Sequence, residues 1–144
     1  MTTNTAQSLP PVRQNPRQVI NYLRKVVNYN DVGIGSGVAF EGSLPHGAFI
    51  TDILVEVITA FNAATTNVLT VGTNGASYNN IVAAADVNEG ATGVTRVTTG
   101  LGRSVTASGD VVPYAMYTQT GTAATTGKAQ ITIAFTGGVD IDGF

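Results

Sequence analysis

The stretch FITDILVEVITAF, Phe49 to Phe61, decides the fold class. Phe49, Ile53, Val55, Val57 and Phe61 fall on one side of an extended chain, and Asp52 and Glu56 on the other. That period of two belongs to a long strand with one buried face. On the C-terminal side NVLTVGT (Asn67 to Thr73) repeats the alternation with Leu69 and Val71 facing inward. KAQITIAF (Lys128 to Phe135) repeats it with Ile131, Ile133 and Phe135. VVPYAMYTQ (Val111 to Gln119) reads as a further strand, with Pro113 pointing to a sheet edge or a bulge. GVAF (Gly37 to Phe40), YNNIVAA (Tyr78 to Ala84) and TRVTT (Thr95 to Thr99) are weaker candidates. Turn signals stand between them at Leu44-Pro45-His46-Gly47, Asn74-Gly75, Glu89-Gly90, Ser108-Gly109-Asp110 and Thr126-Gly127. About seven strands without helical intervals predict an all-β body over residues 31–144, an antiparallel β-sandwich or jelly roll.

The N-terminal end reads differently. Residues 1–15 are polar and hold Pro10 and Pro11, which favours an extended arm. Asn15, Pro16 and Gln18 resemble a helix cap, and Val19, Ile20, Leu23, Val26 and Val27 recur at helical spacing. The spacing predicts one short helix over residues 16–29, so that residues 1–30 form a basic arm. Its β-branched and aromatic content, VINYLRKVVNY, suits a strand as well.

Composition narrows the chemistry. Thr (21), Val (18), Ala (17) and Gly (17) fill half of the 144 positions, and charged residues are 11%. So few charges suggest a surface that is covered by partners. Residues 1–25 carry Arg13, Arg17, Arg24 and Lys25 with no acid, whereas residues 26–144 carry three bases and nine acids; +4 and −6 give the net −2. A basic arm on an acidic body is suited to an acidic partner surface.

There is no cysteine and a single histidine, His46. Thiol nucleophiles, disulfides, iron–sulfur sites and zinc sites with several Cys or His ligands are thereby excluded. Gly33-Ile34-Gly35-Ser36-Gly37 has its glycines at the wrong offsets for a nucleophile elbow or a dinucleotide loop. Asp52 and Glu56 stand about 13 Å apart along one strand, too far for a glycosidase pair. Asp140-Ile141-Asp142-Gly143 begins like a calcium loop but has no closing glutamate. The expectation is a protein without catalytic residues, metal or cofactor. The acidic body argues against nucleic acid as a partner. No long apolar run or interfacial anchor argues for a membrane, and the N-terminus lacks the apolar core of a signal peptide, so synthesis in a cytoplasm is expected.

Two longer successions add a resemblance. LPHGAFITDILVEVITAFNAATTNVLTVGT (Leu44 to Thr73) and VPYAMYTQTGTAATTGKAQITIAF (Val112 to Phe135) resemble a small β-domain of tailed-bacteriophage structural proteins, most of all capsid decoration or cement proteins. The resemblance implies a head-stabilisation protein on the outer capsid surface of the virion, bridging subunits of the major capsid protein, often as a homo-oligomer. A dimer or trimer is expected. The arm, which has no counterpart in the family pattern, then becomes the docking element. Arg13, Arg17, Arg24 and Lys25 would supply charge-assisted hydrogen bonds, and the Val19, Leu23, Val26 stripe the buried contact. The competing reading is a phage tail-fibre, receptor-binding or carbohydrate-binding module that uses the loop Asn74 to Asn80. The absence of Trp weighs against it, since sugar sites favour aromatic platforms.

Overall fold

The computed structural model describes residues 20–102 and 109–137. They form seven strands: β1 (Ile20–Asn28), β2 (Val38–Ala39), β3 (Ile50–Thr59), β4 (Thr66–Gly72), β5 (Gly93–Arg96), β6 (Tyr114–Thr120) and β7 (Lys128–Thr136). Two antiparallel sheets result, one of order β1-β7-β3-β5 and one of order β2-β6-β4. The fold is an all-β sandwich, as the period-two segments predict.

The core lies between the sheets. Val27, Ile53, Val55, Ile131 and Ile133 come from the larger sheet and Leu69, Val71, Ala115 and Tyr117 from the smaller, all fully or almost fully buried. Leu44, Phe61, Ile81 and Val82 close the ends. Each large side chain so buried contributes about 1.5–3 kcal/mol, which is why alternation decides the architecture. Tyr117 buries its ring 4.6 Å from that of Phe61 and keeps its hydroxyl at the sandwich end, donating to Asn67 Oδ1 at 2.6 Å. Asn67 in turn bonds both backbone groups of Ala63.

Four expectations need correction. No helix occurs among the described residues; Ile20–Asn28 is a nine-residue strand that pairs with β7 from Ile20↔Thr136 to Asn28↔Lys128. The β-branched and aromatic residues prevail because β7 offers a full ladder and a core slot for Val27, gains that an isolated helical turn lacks. The part of the expected helix before Ile20, together with Arg13, Arg17 and Val19, lies outside the described residues. The larger sheet thus begins well before Asp31.

The second correction is local. Phe49 is 51% exposed and Ile50 is buried instead, because the β3–β7 register shifts between Ile50 and Asp52. A bulge adds one residue and inverts the facing of everything before it. Third, Pro113 marks neither an edge nor a bulge. It stands just before β6, the central strand of its sheet, where its carbonyl accepts from Phe40 N and no ladder donor is required of it. The segment Tyr78 to Ala84 makes only a bridge, Val82 to Val71, instead of a strand.

Candidate interaction surface

The alternation that buries one face of the larger sheet exposes the other. Its register sets the outward side chains in rows: Tyr22, Ala134, Asp52; then Arg24, Thr132, Leu54, Arg96; then Val26, Gln130, Glu56, Val94. Among the described residues nine large hydrophobics are exposed, and five of them, Ile20, Tyr22, Val26, Ile58 and Val94, belong to the strands of this one sheet. Tyr22 is 62% exposed and Val94 64%. A depression of about 310 Å³ in the middle is lined by Arg24, Leu54, Glu56, Val94, Gln130 and Thr132.

Five charges stand on this face: Arg24, Asp52, Glu56 and Arg96 among the apolar groups, and Lys128 at the start of β7. Arg96 is paired with Asp52, Nε to Oδ1 at 3.3 Å, while Nη2 donates to Oδ2 at 3.3 Å. Arg24 and Glu56 line the same depression, and neither has an ion-pair partner among the described residues.

The structure divides the expected docking residues between two faces. Arg24 and Val26 point outward from β1, whereas Leu23 packs partly buried against the core, under the turn at Gly42, and Lys25 falls on the core-facing row at the sheet edge. The Leu23–Val26 stripe therefore does not exist as one surface: helical spacing joins these residues, but a strand sends them to opposite sides. Sequence reasoning missed Leu54, Ile58 and Val94 on the outer face. Their signal lay in FITDILVEVITAF itself, where the row of Asp52 and Glu56 also holds Leu54 and Ile58, an apolar content unusual for a wet face.

The Asn-rich loop is occupied with its own fold. Asn74 Oδ1 accepts from Asn79 N at 2.9 Å and Asn80 N at 3.3 Å, and Asn74 Nδ2 donates to Asn79 Oδ1 at 2.7 Å. Tyr78 stacks on Tyr114 with centroids 4.7 Å apart and planes 16° apart, so one ring face of each is taken. His46 sits half-buried in its turn. Among the described residues no three His, Cys, Asp or Glu side chains come together, and Asp140 and Asp142 lie outside those residues.

One acid is buried. Glu89 reaches under β4 and accepts from Leu69 N at 2.7 Å. Burial pushes its carboxyl above the usual value, against the opposing pull of its hydrogen bonds from Leu69 N and its own N. Burial, and then the nearby Glu89 charge, raise the Tyr117 hydroxyl in the same way. With Phe61 N donating to Glu89 O, the residue fastens the loop before β5 onto the core, a structural use of the charge.

The fold and this surface define a small two-sheet β-domain with an apolar, mixed-charge outer face. No protein-family model and no curated protein sequence matches the chain. Among solved structures it is similar to a chain of the cyanophage Pam1 capsid asymmetric unit, with a TM-score of 0.63 and 20% identity over 94% of this chain and 97% of that one. It is also similar to a chain of the acidic stable capsid structure of Helicobacter pylori bacteriophage KHP30, with a TM-score of 0.54 and 18% identity over 83% of this chain and 89% of that one. At these identities the likeness is one of fold.

Proposed function

We propose that the chain is a structural virion protein that binds the outside of a phage capsid and cements contacts between major capsid protein subunits. The observation that carries this reading is that nearly the whole chain, 94% of it, shares its fold with nearly the whole of a chain from a phage capsid structure. The surface chemistry agrees with a binding role: exposed apolar groups set among isolated charges are what a partner covers. Virion location, action by binding without catalysis or cofactor, and an acidic capsid surface as partner for the basic residues Arg13 and Arg17 belong to the same reading.

The recognition-module alternative has less support, because the Asn74 to Asn80 loop spends its amides and one face of its tyrosine internally. The test is subtraction and return. Particles assembled without the chain should break at lower temperature or lower ionic strength than complete ones, and the purified protein should restore them. Equal stability of the two particles, or binding of the protein to host cells instead of capsids, would refute the reading. Arg13→Ala with Arg17→Ala should weaken attachment more at low salt than at high salt, since exposed pairs are screened beyond about 8 Å at 0.15 M.

A further inference from the structure

We infer that the outer face of the β1-β7-β3-β5 sheet is a self-association surface, on which a second copy of this chain packs about a two-fold axis with Arg24 of each copy against Glu56 of the other. The inference stands apart from the capsid reading, because it rests on the arrangement of this face alone.

The register makes the fit specific. Strands lie about 4.8 Å apart and successive outward residues on one strand about 6.7 Å apart. On that grid Arg24 and Glu56 stand two strands and one row apart. A two-fold axis lying in the interface exchanges them when it passes over their midpoint, near Gln130 and Thr132 at the centre of the face, at right angles to the line that joins them. The same operation lays Val94 of each copy over the exposed ring of Tyr22 of the other, so that the two most exposed apolar side chains of the face cover each other. It also brings Leu54 close to Thr132 and Asp52 beside Arg96 of the second copy. Arg24, Glu56, Asp52 and Arg96 each thereby meet an opposite sign across the interface, and an isologous contact makes each such pair twice.

A two-fold partner fits because Arg24 and Glu56, neither of them ion-paired among the described residues, line one depression, and the rotation that interchanges them also sets Val94 over Tyr22. The size is adequate. Four strands about 19 Å wide in all and four to ten residues long give a flat footprint of about 500 Å² per copy, so a pair reaches the 1,000 Å² or so at which specific interfaces begin.

Sedimentation velocity of the full chain over a concentration series tests this, with thermal melting of each variant as the control for folding. The expected result is a dimer, or an assembly built from dimers. Arg24→Glu and Glu56→Arg should each raise the dissociation constant by at least about tenfold, and the double variant Arg24→Glu/Glu56→Arg should recover most of the loss. Val94→Asp, on the strand farthest from β1, should also weaken association while leaving the melt unchanged. A monomer throughout, a trimer with no dimer contact, or a double reversal that fails to recover would overturn the inference. So would association that Val94→Asp leaves intact, because that outcome would assign pairing to the free edge of β1 instead of the sheet face.

Discussion

Gly127 stands at φ +149° immediately before β7, and a side chain there would enter the ring of Phe61. Both the backbone and the space require glycine. Gly127→Ala should therefore destabilise the protein by about 1–3 kcal/mol in chemical denaturation, through strain and overpacking together. Glu89 makes a prediction of a different kind. Its carboxyl is raised above its ordinary 4.5, so the folded state holds that proton more tightly than the unfolded chain does. The stability contributed by this group is complete below the unfolded value and declines as pH rises through the folded one. Glu89→Gln removes the titration, so its stability relative to the parent protein should increase between about pH 4 and pH 7. A constant difference across that range would contradict the burial argument. Glu89→Ala, which leaves Leu69 N without its acceptor, should cost about 1–3 kcal/mol at either pH.

At the scale of elements, β1 carries the sharpest consequence. It fills one edge of the larger sheet along nine paired positions and buries Val27 completely. Removing residues 1–19 should leave a cooperative thermal transition, whereas removing residues 1–29 should abolish it or lower its midpoint severely, because β7 then becomes an unpaired edge. Circular dichroism during heating distinguishes the two, and a Δ1–29 protein as stable as the parent would refute the role given to β1.

This element also marks where sequence patterning stops being legible. In β3, β4 and β7 one face is buried throughout, so Ile53, Val55, Leu69, Val71, Ile131 and Ile133 announce their strands and their facing. In β1 only Val27 is fully buried, and the outward Tyr22 and Val26 are apolar as well, so a two-residue period is blurred into one that mimics a helix. Phe49 escaped for another reason: the bulge ahead of Asp52 arises from pairing with β7, a partner nearly ninety residues away, and no local pattern contains it. The interaction surface was half legible. Arg24 and Val26 were found from charge and periodicity, but Val94 was not, because β5 is four residues long and gains its importance only when pairing with β3 sets it beside Glu56.

For the whole molecule, the low charge content and the apolar outer sheet agree with the proposed function, in which partners cover these faces. The most direct measurement is a cryo-electron-microscopy map of the native particle made by the genome that encodes the chain. The sandwich should be found on the outer capsid surface, each copy touching at least two major capsid subunits. Density for it in the tail alone, or a capsid map in which no position fits the two-sheet fold, would contradict the proposed function.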